Sequence, residues 1–205
     1  GRFKQGKYSL KDIENVWINN VKCLYNILTK IKAEGYSVFR VSSSLLPLFD
    51  ELPDQLHNSS ITIKYLNKIG EFVKSNNMRL TTHPDQFVVL SSNTQDVIDK
   101  SINILEHHAW VFDVMNLDKT PYYSINIHGG KKGNIDVLLN SINKLSDSVK
   151  SRLTFENDEI SYSVDDLFKV YQTFNIPICF DSHHHTFNSS LYSLEDAFHK
   201  SISTW

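Results

Sequence analysis

Four side chains in this sequence stand where a parallel sheet would gather them: His83 in TTHPDQF, His128 in INIHGG, Glu156 in LTFENDE and Asp181 in CFDSHHH. Each closes a short run rich in β-branched and aromatic residues, and His183, His184 and His185 follow the last of them. Imidazole and carboxylate together suit divalent transition ions such as Zn²⁺ or Mn²⁺. A cluster this rich can hold more than one ion. Two ions ~4 Å apart can clamp both the attacking and the leaving oxygen of a phosphoryl displacement.

Each residue also has a plainer reading. His83 precedes a proline and His128 precedes two glycines, so either alone is a loop histidine. Glu156 and Asp181 are harder to dismiss, because an unpaired carboxylate at the end of an apolar strand is costly and needs a cation or an arginine beside it. A purely structural account requires four separate accidents at one strand position, and metal binding is the expectation. Strand alternation turns His183 and His185 away from His184, toward outer-shell or substrate roles. His107 and His108 fall within a helical pattern, His57 in a loop and His199 in a helix; all four read as core or surface residues.

The elements that must position these groups alternate regularly. A helix opens at Ser9, with Asp12 three residues on as its capping partner, and Gly35 stops it. Its apolar stripe is Ile13, Val16, Trp17, Leu24, Ile27, Leu28 and Ile31. Strands are expected at SVFRVSS, MRLTTH, YYSINIH, RLTFE and IPICFD. Helices between them cover about Ile61 to Lys74, Val97 to Met115, Ile135 to Val149 and Val164 to Phe174. A last helix opens at Ser193, with Asp196 after it. Repeated βα units imply a parallel sheet with right-handed crossovers, as a closed barrel or an open doubly wound sheet. In both, ligands gather at the carboxyl ends of the strands. HGGKKG is not a dinucleotide fingerprint, and no GxxxxGK[ST] phosphate loop occurs.

Composition narrows the function classes. The formal net charge is -2, so a nucleic-acid contact must come from a local patch. No apolar run approaches the ~20 residues of a membrane span. GRFKQGKYS has basic residues but no apolar segment behind it, so it is not a secretory signal. Cys23 and Cys179 form no CxxC pair and sit in apolar contexts, which predicts buried free thiols, a reducing compartment and an intracellular protein.

Taken in order, FRVSSSLLPL, THPDQFVVLSS, INIHGG, LTFENDE and ICFDSHHH resemble the strand-end motifs of the UV damage endonucleases over about Tyr36 to His185. The resemblance implies an α/β fold of the TIM type, a (β/α) barrel, with a cluster of up to three metal ions. Manganese is expected first, with Zn²⁺ or Mg²⁺ as alternatives. It implies incision of double-stranded DNA on the 5′ side of a UV photoproduct. His83 and His128 match ligands of one ion, Glu156 the bridging carboxylate, and Asp181 and His184 further ligands; Glu156, Asp181 and His184 are thereby the catalytic candidates. Gln86 and Phe87 match a pair that pushes into the duplex at the lesion, though the family usually has tyrosine at the Phe87 position. Phe87 as simple loop packing is the plainer alternative. Arg40, beside Ser42, Ser43 and Ser44, could hold a phosphate or pair with an acidic strand end. Lys131 and Lys132 could contact phosphate or simply be solvated.

The family pattern also calls for a strand before the first helix and two after Trp205. Those two would bring a histidine and a lysine, another histidine and a glutamate. With eight strands closing a barrel and five counted here, residues 1–205 are expected to be one incomplete barrel domain, part of a longer chain or a shortened relative. Other barrel metalloenzymes, of the xylose isomerase or endonuclease IV type, would use a similar ligand set but match the motifs less well. HPDQF would have no obvious task in an isomerase. A remnant that binds metal or DNA without cutting is the third reading.

Overall fold

A computed structural model describes residues 8–52, 54–189 and 191–205. The terminal segment read above as lacking a secretory signal falls mostly outside them, in residues 1–7.

Helix α1 (Leu10–Ala33) starts as its sequence requires. Ser9 Oγ accepts from the Asp12 N–H at 3.2 Å, and the Asp12 carboxylate accepts from the Ser9 N–H at 2.8 Å. Then follow β1 (Val38–Val41), a 3₁₀ turn at Phe49–Glu51, the single turn α2 (Asp54–His57), α3 (Ser60–Ser75) and β2 (Arg79–Thr82). The rest is α4 (Gln95–Val114), β3 (Ile125–His128), α5 (Ile135–Asn143), α6 (Asp147–Lys150), β4 (Leu153–Glu156), α7 (Val164–Phe174), β5 (Ile178–Cys179), α8 (Ser182–Phe187) and α9 (Leu194–Ile202).

All five strands are parallel and lie in the order β1-β2-β3-β4-β5. A doubly wound sheet would reverse direction at an inner strand. A sheet that never reverses, with every crossover right-handed, puts its helices on one face, which is the winding of a (β/α) barrel. The helices accordingly pack on one another in chain order, α1 on α3 and α3 on α4. The strand residues beneath them are apolar and buried: Val41, Leu80, Ile125, Ile127, Leu153, Phe155 and Ile178. Alternation puts Arg40, Thr81, Asn126, His128, Thr154, Glu156 and Cys179 on the other face. The sheet therefore has an apolar helix side and a polar inner side.

Several expectations need correction. Residues 135–149 are two helices, because Ser146 caps a new turn by accepting from the Val149 N–H, while Glu106 accepts from the Ser146 N–H and hydroxyl. Tyr122 lies in a 3₁₀ turn (Pro121–Tyr123) and not in β3, and β5 is shorter than the run IPICFD. His57 ends the helical turn α2, not a loop. On α1 the buried positions are Ile13, Trp17, Val21, Leu24 and Leu28. Val16, Cys23 and Ile27 stand one residue, about 100°, off that stripe and are exposed. Cys23 is thus free but not buried, and Cys179 is free and half-buried.

The core histidines join the helical layer. Phe49 is sandwiched between His57 and His107, with ring centroids 3.9 and 4.0 Å away and interplanar angles of 10° and 2°. This stack fastens the β1–α3 connection to α4. Burial pushes His107 down from its ordinary 6.5 to about 3, helped by neighbouring imidazoles, and pushes His108 down to about 4. Both are neutral in the folded protein at pH 7. Their contribution is complete above 6.5, where the unfolded chain is neutral too. It is lost as pH falls from 6.5 toward 4 and 3, because only the unfolded chain takes up the protons. Chemical denaturation from about pH 7 to about pH 4 is expected to show stability falling steadily through this window. His107→Phe, which keeps a flat ring, should make the fall shallower. An unchanged slope would show that His107 is not buried neutral.

Candidate metal centre

His128 and Glu156 end β3 and β4 and are register partners. His83 follows β2 directly, and Asp181 follows β5 and caps α8 by accepting from the His184 N–H at 2.9 Å. The five side chains converge. Glu156 Oε2 lies 3.4 Å from His83 Nε2, and Oε1 lies 3.8 Å from His184 Nδ1, itself 3.9 Å from Asp181 Oδ2. The His128 ring centroid is 5.2 Å from that of His83 and 5.5 Å from that of His184. Donor atoms of His83, His128 and Glu156 all lie within 4.8 Å of one another, and so do those of Glu156, Asp181 and His184. Glu156 is common to both triads, the position a bridging carboxylate would take.

The protonation pattern suits a cation. His83 Nδ1 is 3.0 Å from the Pro84 carbonyl oxygen and must carry a proton to bond it, which leaves Nε2 facing Glu156. The hydrogen bond to Glu156 raises the His83 pKa against the opposing effect of burial. Burial alone would raise Glu156, but His83, the charge of His128 and the amide of Asn126 outweigh it and hold the carboxyl low. A proton and a divalent ion compete for the same lone pairs here. His128 Nδ1 is buried with no hydrogen-bond partner, an orphan that a metal ion would satisfy. The donor set fits one or two divalent ions.

Comparison with known proteins places the chain. A family model described as UV-endonuclease UvdE matches residues 2–205. The chain belongs to the UV-endonuclease UvdE family. Among curated members, the UV DNA damage endonuclease of Nostoc sp. is 38% identical over 200 residues, which is 94% of this chain and 62% of that protein. The UV DNA damage endonuclease of Deinococcus radiodurans is 33% identical over 93% of this chain and 62% of its own length. The chain thus spans about 62% of the length of these relatives. The crystal structure of SacUVDE superposes with a TM-score of 0.89 at 31% identity, covering 98% of this chain and 70% of that one. A D-psicose 3-epimerase from Clostridium cellulolyticum H10, at TM-score 0.63 and 13% identity, shares the fold alone.

In this UvdE-family chain the histidines after β5 do not alternate as a strand would have them. Asp181 caps a helix, so successive residues turn by about 100°. His184 faces Glu156, His185 is buried against Phe180, and His183 is exposed and packs edge-on to Phe187. His184 Nδ1 is 2.8 Å from the Asn157 carbonyl oxygen, and Nε2 is 3.5 Å from Glu159 Oε2. Glu159 was not anticipated from the sequence. Neither was Asn126, which donates to Glu156 and accepts from Thr154 Oγ1 at 2.8 Å, nor Asn157, which exchanges two hydrogen bonds with the Asp181 backbone. For Asn126 and Thr154 a signal existed: each stands two residues before a site residue, on the same strand face.

The residues singled out for DNA sit around the centre. Arg40, Gln86 and Phe87 line a cavity of about 540 Å³ together with His83 and His128. Phe87 is 73% exposed. Its loop is held by Ser43, which donates to Asp85 at 2.9 Å, and by Ser101, which accepts from the Val89 N–H at 2.9 Å. Lys131 lines a second cavity of about 420 Å³ shared with His128 and His184. Lys132 is exposed beside it and is not among the lining residues of either cavity.

Asn126 supplies the test of the centre. In the full-length protein, titrated with Mn²⁺ after chelation, Tm is expected to climb with ion concentration. Asn126→Ala frees the Glu156 carboxylate from its amide and should shift the titration to roughly 10–100-fold higher Mn²⁺. A variant titration that overlays the wild type would remove Asn126 from the site.

Proposed function

We propose that residues 1–205 form an incomplete catalytic (β/α) barrel, part of an intracellular, metal-dependent DNA repair endonuclease that incises double-stranded DNA on the 5′ side of UV photoproducts. The observation that carries the proposal is the Glu156-centred cluster at the strand ends, lying below an exposed Gln86–Phe87 loop in a chain of the UvdE family. His83, His128, Glu156, Asp181 and His184 are the metal ligands in this reading, with Glu156, Asp181 and His184 closest to the chemistry. Mn²⁺ is the ion proposed first, with Zn²⁺ or Mg²⁺ as alternatives. Among the described residues no helix is long and apolar enough to cross a membrane.

When bound, divalent ions supply Lewis-acid stabilisation of charge on the oxygens of the scissile phosphate. The protein does the rest. Asn126 and the Pro84 carbonyl fix the orientations of Glu156 and His83. Asn157 holds both the Asp181 backbone and the His184 ring. In this reading Arg40, Lys131 and Lys132 neutralise backbone phosphates, a sequence-independent contribution. Gln86 and Phe87 enter the duplex where stacking is already weak. A damaged dinucleotide costs less to extrude than an intact step, and selectivity follows from that difference.

Two variants separate the chemistry from the recognition. Glu156→Gln keeps shape and hydrogen bonding but removes the shared charge; incision should disappear while DNA affinity, dominated by phosphate contacts, stays near wild type. Gln86→Ala with Phe87→Ala should reduce the preference for damaged over intact duplex by roughly 1–3 kcal/mol while incision of an unpaired site survives. Nicking assays with Mn²⁺ on duplexes carrying one cyclobutane dimer, one abasic site or no lesion read both effects. Full incision by Glu156→Gln would overturn the metal assignment, and full discrimination by the double variant would overturn the lesion assignment.

A further inference from the structure

The connection from β4 to α7 faces the Gln86–Phe87 loop across the second cavity, which Gln86, Lys131, His128, His184 and Ile160 all line. Ile160 is 66% exposed on this rim. A single exposed isoleucine on a loose loop would signify nothing. This loop is tightly built. Asp158 is 8% exposed, and its two carboxylate oxygens accept from the backbone N–H groups of Ile160 at 2.9 Å, Tyr162 at 3.0 Å and Ser161. Its own N–H donates to the Tyr162 carbonyl at 3.0 Å, and its carbonyl accepts from the Asn188 amide at 3.0 Å. The buried Tyr162 ring seats so closely on Gly129 that an added Cβ there would lie 2.4 Å from it. These bonds hold the backbone that presents Ile160 to water, on a cavity also lined by His83, His128 and His184.

We propose that Ile160 is a second lesion-contacting residue, packing on the extruded pyrimidine pair from the rim of the cavity that Gln86 also lines. The inference rests on the DNA reading given above. The chemistry of the lesion favours an aliphatic group here. Formation of a cyclobutane dimer saturates the 5,6 bonds, so the rings pucker and lose much of their stacking surface, while in thymines the 5-methyl groups remain. A branched aliphatic side chain packs against such a saturated, methyl-bearing surface, and apolar wedges of this kind are used where DNA bases are unstacked. Lys131 in the same groove would meet the adjoining phosphate.

The test is equilibrium binding by the full-length protein in a Glu156→Gln background, with duplexes carrying a thymine cyclobutane dimer or no lesion. Ile160→Ala is expected to lower the ratio of the two affinities roughly tenfold, through weaker dimer binding alone. Ile160→Leu should recover most of the ratio, and Tm should be unchanged in both because the side chain is exposed. Equal weakening on both duplexes, or a fall in Tm, would make Ile160 a general or structural contact and overturn the proposal. So would an unchanged ratio where Gln86→Ala with Phe87→Ala reduces it, and in that case the DNA reading stands. If the Ile160-intact protein shows no preference for the dimer, the DNA reading itself fails and takes this inference with it.

Discussion

A carboxylate at the end of a strand whose other face is buried needs positive charge close by. Glu156 is that carboxylate, and the site is arranged around it. His83 approaches one oxygen and His184 the other, while Asn126 donates to the first. The mutual effects are consistent: Glu156 raises His83, and His83 lowers Glu156. A divalent cation would take the proton's place between His83 and Glu156, since both compete for the same lone pairs. Replacing Glu156 by an uncharged residue would leave the histidines with no common partner, so the two triads are one electrostatic unit.

That unit exists because of the order of the strands. Each βα step moves one strand further in the same direction, so the helices cover one face and the other stays polar. On the inner face the polar residues come in layers. Thr154 and Asn126 lie one layer below Glu156 and His128, and the hydrogen bond from Thr154 to Asn126 orients the amide that holds Glu156. The helix-side face contributes the stability that keeps these layers in place, through Leu80, Ile125, Leu153 and Phe155, all at most 1% exposed.

The strand ends were legible in the sequence for a simple reason. Apolar β-branched runs are read by periodicity, and a histidine or carboxylate where such a run stops has few structural uses. Residues that act through others were harder to see. Asn126 sits inside an apolar strand, and its task is visible only when Glu156 is placed beside it. Glu159 belongs to no strand or helix pattern, and its place 3.5 Å from His184 Nε2 depends on the turn of helix α8. His183 and His185 do point away from His184, but through a helical period of 3.6 residues that the capping Asp181 starts, not through strand alternation. The break at Ser146 was hidden for the opposite reason: Leu138, Ile142, Leu145 and Val149 keep a helical apolar spacing across it, and the cap is recognisable only through the distant acceptor Glu106.

The loops above the centre are tied to one another as well as to the strands. HGG in β3's continuation needs both glycines: Gly129 lies under the Tyr162 ring, and Gly130, at φ +97°, leaves no room for a Cβ beside Ser91 Oγ, 2.7 Å away. Ser91 in turn accepts from the Lys131 N–H at 2.5 Å and donates to the Gly129 carbonyl at 2.9 Å. The loop that carries Phe87 is thereby braced against the loop that carries Lys131, and Tyr162 links both to the loop that carries Ile160. The ring of Phe87, 73% exposed, is therefore presented to solvent from a loop whose backbone is held on both sides.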